Sequence, residues 1–138
     1  MRETYNLTLV GNDGQNIELK LRLNILAQME LEKKYCKNKN DMLMETIIYS
    51  SFKPTVMVDV LNAALNYKGN DNSIKSGAEL YELLVDNGYA GLKDWMELIS
   101  NIALISGIIN KDIKEAMLKN ADKSQQAMLA SDEDEEKN

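Results

Sequence analysis

Apolar side chains recur at helical spacing most densely between residues 92 and 109. On a helical wheel they form one broad stripe: Leu92, Trp95, Met96, Leu98, Ile99, Ile102, Ala103 and Ile105. The opposing strip is polar and narrow: Lys93, Asp94, Glu97, Ser100 and Asn101. A helix that is apolar over most of its circumference needs neighbours on several sides. The pattern therefore predicts the central helix of a helical domain, with Trp95 anchoring the core, and its charged start argues against a membrane span.

Two runs near the start of the chain, residues 5–9 and 17–23, alternate apolar and polar side chains with the period of a strand. The residues between them include Gly11-Asn12-Asp13-Gly14, which favours a hairpin. A two-residue turn would place the apolar sets of the two strands on opposite faces. A three-residue loop over 12–14, with Gly14 left-handed, sets Leu9 opposite Ile17 and Leu7 opposite Leu19. This register is the prediction, and its apolar face must pack on helices or on another subunit.

Capping residues predict the other helices. Asn24 caps a helix over 25–35, Asp41 caps a short apolar helix over 42–49, and Pro54 with Thr55 introduces a helix over 56–67. A capping box beginning at Ser76 opens a helix through residue 86, and Asn110 caps a final one. The first of these helices is predicted to bury four apolar residues: Ile25, Leu26, Met29 and Leu31. Residues 69–73 are predicted to form a solvated loop rather than a calcium site.

These elements predict an α+β fold, a predominantly α-helical single domain with an N-terminal β-hairpin. The globular domain is predicted over 1–119, with the hairpin at about 4–23 and the helices at about 25–119. A flexible acidic tail is predicted over 120–138, because the run 131–136 is too charged to pack.

Composition excludes several classes of function. The chain of 138 residues has a net charge of −6, which disfavours nonspecific binding to nucleic acid or to anionic membranes. It contains no histidine, so no histidine-based triad or proton relay can form. A single cysteine and the lack of a signal-peptide pattern suit the cytoplasm. No catalytic residue, cofactor or metal site is predicted, although an enzyme that uses only carboxylates is an open alternative.

Candidate contact residues come from the methionines, from one isoleucine and from one leucine. Methionine adapts to varied apolar partners, and the chain has 8 of them. The predicted surface for partner binding or self-association comprises Met42, Met44, Ile48, Met57 and Leu104, with a place in the core as the alternative for the methionines. Cys36 lies among a basic cluster of Lys33, Lys34, Lys37 and Lys39. This cluster is either solubilising surface or a dock for an acidic partner or acidic tail.

The order of these motifs resembles a known family over about residues 4–117. The resemblance rests on the hairpin, the segment Arg22 to Lys34, the helix start at Pro54-Thr55, the glycine-flanked helical pair and the acidic C-terminus. It is to the tail assembly chaperones of long-tailed, siphovirus-type bacteriophages of Gram-positive hosts and their prophages.

The resemblance implies a non-enzymatic protein that binds the tape measure protein and keeps it soluble during tail assembly. It also implies self-association, contact with the tail tube protein, a location in the host cytoplasm and absence from the mature virion. Such phages often make a longer form by a ribosomal frameshift, and Glu136-Lys137-Asn138 can be encoded by a slippery sequence. Two alternatives are a structural tail-completion protein and an acidic inhibitor that mimics DNA.

Overall fold

The computed structural model describes residues 3–49, 53–120 and 122–123. Strands β1 (Tyr5–Val10) and β2 (Asn16–Leu21) form an antiparallel hairpin. The helices that follow are α1 (Ile25–Tyr35), α2 (Leu43–Tyr49), α3 (Pro54–Leu65), α4 (Gly77–Asp86), α5 (Gly91–Ile105) and α6 (111–120). The fold is α+β and mostly helical, which confirms the predicted fold class. No helix in these described ranges is long and apolar enough to cross a membrane.

The hairpin has the predicted register. Leu9 pairs with Ile17 and Leu7 with Leu19, and Gly14 has a φ of +80° in a turn closed by its N–H to the Gly11 carbonyl at 2.9 Å. Leu7, Leu9, Leu19 and Leu21 are buried, so the apolar face packs on the helices. Asn87, at the end of α4, holds the far end of β1 because its side chain bonds both the N–H and the carbonyl of Val10.

The core is built around α5, as the apolar stripe predicted. Six of the residues that it buries are apolar, including Trp95, whose ring stacks on Tyr81 at 4.8 Å between centroids and meets Tyr89 at 5.8 Å. Ser100 is a correction to the predicted polar strip, because it is fully buried and its hydroxyl donates to the Glu97 carbonyl at 2.9 Å. The helix ends at Ile105 rather than at 109, since Gly107 turns left-handed with a φ of +79°.

Helices α3 and α4 approach closely where α4 begins. A Cβ added at Gly77 would overlap the carbonyl oxygen of Val58 and the backbone of Asn62. Glycine is therefore required by close packing at this position, where the sequence suggested only a place in a capping box. The capping box itself is present, because the Ser76 hydroxyl accepts from the Glu79 N–H at 3.3 Å.

The segment between α3 and α4 is the predicted loop, and residues 69, 71 and 73 in it are exposed, but one of its residues is not solvated. Asn72 in this segment is buried, and its amide bonds the backbone of Lys20 in β2 and the carbonyl of Leu65 in α3. The loop is thus fixed to the edge of the hairpin.

The predicted acidic tail lies almost entirely outside the described residues. The exception is its first part, which is helical: α6 reaches residue 120, and residues 122 and 123 are also helical. The carboxylate of Asp122 pairs with the ammonium of Lys93 at 3.1 Å. Ordered chain therefore continues past the predicted boundary at residue 119 and returns to the start of α5.

Candidate binding surface

Helix α1 presents apolar side chains to solvent on the face that points away from the core. Ile25 is 60% exposed, Leu26 66% and Met29 46%. These three residues are spaced by three and four positions, so they are neighbours on one side of the helix. All three were predicted to be buried with Leu31, and of these four only Leu31 is. We call the three exposed residues the α1 apolar face.

The rotation of α1 explains why this prediction was wrong. The helix packs through Ala27 and Leu31, which are buried, while the Asn24 side chain caps it by accepting from the Ala27 N–H at 2.9 Å. One long-range and one local hydrogen bond fix the start of the helix. The Leu23 N–H donates to the buried Ser106 hydroxyl at 2.9 Å, and the Gln28 amide donates to the Leu23 carbonyl at 2.9 Å. The sequence of α1 thus has apolar residues on two sides, and either side could face the core. The contacts at the start of the helix turn Ala27 and Leu31 towards the core.

A groove of about 660 Å³ lies beside the start of α1. Ile25 and Leu26 form its apolar side, and Tyr67, Gly69 and Asp71 contribute from the segment after α3. Burial, with the nearby Asp71 carboxylate, raises the pKa of Tyr67. Its hydroxyl, which is protonated at neutral pH even without this shift, can donate a hydrogen bond. The groove thus combines apolar surface with hydrogen-bonding groups, which is the character of a site for a polypeptide segment.

Three cationic side chains line the same groove: Lys20, Arg22 and Lys68. The Arg22 guanidinium is held in place because its Nη1 donates to the Glu3 carbonyl at 2.7 Å and to the Ile105 carbonyl at 3.3 Å. Its Nε is buried and has no hydrogen-bond partner within the described part of the chain. With Asp71 as the one carboxylate in the lining, the groove is positively charged although the chain as a whole is acidic.

The predicted basic cluster at the end of α1 is partly neutralised. Lys34 pairs with Asp59 of α3 at 2.6 Å, and the Tyr35 hydroxyl donates to the same carboxylate oxygen. Burial and the bond to Asp59 raise the pKa of Tyr35 to about 12. Burial alone would raise the pKa of Asp59, but the bonds from Lys34 and Tyr35 outweigh it and lower that pKa. Cys36 is half-buried, and its thiol lies 3.7 Å from the Thr46 hydroxyl.

The residues predicted for partner binding lie on three different elements. Met42 precedes α2 and is 66% exposed, whereas Met44 is half-buried and packs against the core. Ile48 lies in α2, but its side chain is outside the described residues. Met57 in α3 has no exposed surface, so it serves the core and offers a partner nothing to contact in this structure. Leu104 in α5 is half-buried.

Sequence reasoning thus missed the apolar face of α1 and the basic groove beside it. The signal was present in Ile25-Leu26 and Met29, but it was assigned to the core.

Within the described ranges, no group of three or more potential metal ligands (His, Cys, Asp or Glu) is placed to hold an ion. Comparisons with protein-family models, with curated proteins and with solved structures found no match.

Proposed function

We propose that this protein is a non-enzymatic tail assembly chaperone that binds the tape measure protein and keeps it soluble while a phage tail is assembled. The observation that supports this best is the α1 apolar face. Ile25, Leu26 and Met29 are exposed on a helix whose opposite side is already packed. The domain does not need these side chains for its own core. A chaperone that covers aggregation-prone segments needs such accessible apolar surface.

The size of this surface fits weak, repeated binding. Burying what remains exposed of each of the three side chains contributes about 1–2 kcal/mol, so the face supplies roughly 3–6 kcal/mol in all. Even without the freedom lost on association, a free energy near 4 kcal/mol corresponds to a dissociation constant of only about 1 mM, so one copy binds more weakly than that. One copy would release its partner readily, whereas many copies that also contact one another along a long chain would hold it through avidity. Self-association is therefore part of the proposal, and Met42, Met44, Ile48 and Leu104 remain its predicted contacts, since Met57 alone among the predicted residues with a described side chain is fully buried.

Co-expression with a tape measure fragment tests the proposal. The wild-type chain should keep the fragment in the soluble fraction, and the triple variant Ile25→Ser, Leu26→Ser, Met29→Ser should not. The control is Glu30→Ser, Glu32→Ser, Lys33→Ser, which changes three exposed positions of the same helix to the same residue. This control should retain the activity, because it leaves the α1 apolar face intact. Equal precipitation of the fragment with and without the wild-type chain would refute the proposal.

The proposal places the protein in the host cytoplasm during assembly and outside the mature virion. A structural tail-completion protein would instead copurify with finished particles, so mass spectrometry of purified virions separates the two functions. A tape measure gene immediately downstream would support the chaperone function independently.

A further inference from the structure

The cations of the groove beside α1 converge from separate parts of the chain. Lys20 and Arg22 come from the end of the hairpin, and Lys68 comes from the segment after α3, which the buried Asn72 fixes in place. Lys20 and Lys68 are exposed, and the ion pairs of the described residues are made by other lysines. Such an arrangement attracts an anionic chain that can follow the groove.

The strongest concentration of negative charge in the sequence is the run 132–136, which contributes five consecutive carboxylates. It follows the described residues after a short connection, 124–131, that carries no charge and includes Met128 and Leu129. The apolar pair matches the apolar side of the groove, formed by Ile25 and Leu26, and the acidic run matches its cations.

The position of the last described residues leaves the groove within reach of the run. The pair between Asp122 and Lys93 puts the last described residues beside the start of α5, while the bond from Arg22 to the Ile105 carbonyl puts the groove beside its end. At 1.5 Å per residue, Lys93 and Ile105 are about 18 Å apart along α5. The connection 124–131 spans about 26 Å when extended, which is long enough to carry the acidic run back along α5.

We propose that residues 132–136 dock in the groove beside α1 of their own chain and shield it until a partner displaces them. The two docking partners are covalently linked, so their effective concentration is of millimolar order. A dissociation constant of about 1 mM, from the ion pairs and the apolar contacts together, is then enough to populate the docked state. This proposal does not depend on the identity of the partner. It predicts that occupation of the groove weakens with salt, because screening shortens the range of the attraction from about 10 Å at 0.1 M to about 3 Å at 1 M.

Paramagnetic relaxation in the full-length chain tests the proposal. A nitroxide is attached to Asn138→Cys in a Cys36→Ser background, which places it just beyond the acidic run without removing a carboxylate. Amide signals of Lys20, Leu26 and Lys68 should broaden at low salt and recover at high salt. The double variant Lys20→Glu, Lys68→Glu should reduce the docked population roughly tenfold, since each exposed ion pair contributes up to about 1 kcal/mol.

The control variant is Lys37→Glu, Lys39→Glu, which reverses two charges in the other basic cluster and should leave the broadening at the groove unchanged. The proposal would be overturned if the broadening were lost in the Lys37→Glu, Lys39→Glu variant and not in the Lys20→Glu, Lys68→Glu variant. Broadening that is uniform over the surface would also overturn it. A mixed sample of spin-labelled unenriched protein and ¹⁵N-labelled protein without the spin label reports contacts between copies. Strong broadening in that sample would also overturn it, because the run would then dock on a second chain.

Discussion

Replacing the buried Asn72 should destabilise the protein more than replacing an exposed residue of the loop between α3 and α4. Its carboxamide joins the loop to β2 and α3: Oδ1 accepts from the Lys20 N–H at 2.8 Å, and Nδ2 donates to the carbonyls of Lys20 at 2.8 Å and Leu65 at 3.0 Å. The residue is 4% exposed, so water does not substitute freely for the lost groups. At about 1 kcal/mol of net stabilisation per hydrogen bond, Asn72→Ala should cost roughly 3 kcal/mol.

That loss is a large part of the roughly 5–15 kcal/mol that stabilises a domain of this kind. Urea unfolding followed by circular dichroism measures it, and the exposed neighbour Ser73→Ala serves as the control, with an expected change within about 0.5 kcal/mol. A loss below about 1 kcal/mol for Asn72→Ala would show that the loop is not fixed by this side chain.

Asn72→Asp separates the roles of the two ends of the amide. The carboxylate can accept from the Lys20 N–H, but it cannot donate and would face two carbonyl oxygens. Its pKa should rise above the ordinary value of about 3.9. The loss of stability should be greatest above that raised pKa and should shrink as pH falls through it, since the protonated acid can donate. A loss that does not depend on pH would contradict this geometry.

Two further substitutions test the core and the contact between α1 and α3. Trp95→Ala should cost about 3–5 kcal/mol, because the ring is buried and stacked on Tyr81; a loss below about 1 kcal/mol by the same measurement would show that the residue is not an anchor. The lowered pKa of Asp59 means that its bonds to Lys34 and Tyr35 add stability above the unfolded pKa of about 4, and that this stability is lost as pH falls through the folded value. Asp59→Asn should therefore flatten the acid side of the stability profile, and an unchanged profile would exclude the contribution of this carboxylate.

Local signals predicted the hairpin and the caps of three helices. Asp41 was also predicted to cap a helix, but its carboxylate accepts from the Asn38 N–H and α2 begins at Leu43. The register followed from the positions of Leu7, Leu9, Ile17 and Leu19 around one glycine turn, and all lie within a few residues of that turn. The caps at Asn24, Ser76 and Asn110 each bond a backbone N–H three residues ahead, so a short stretch of sequence contains the whole interaction.

Contacts between distant parts of the chain were not predictable in this way. Asn72 bonds Lys20, which lies 52 positions away, and the buried bond from Leu23 to Ser106 spans 83 positions. A polar residue in a polar loop gives no sign that a strand edge lies beside it. Gly77 is a similar case. A side chain is excluded at this position by the backbone of α3 rather than by its own helix.

Helix α1 shows why the candidate surface was assigned to the wrong face. Its sequence carries one apolar stripe through Ala27 and Leu31 and a second through Ile25, Leu26 and Met29. Periodicity alone favoured the second stripe because its side chains are larger, but the contacts around Leu23 turn the smaller stripe inward. The larger stripe is then apolar surface that folding does not use. Substitutions there should cost little stability, so they can separate the function of this surface from the integrity of the fold.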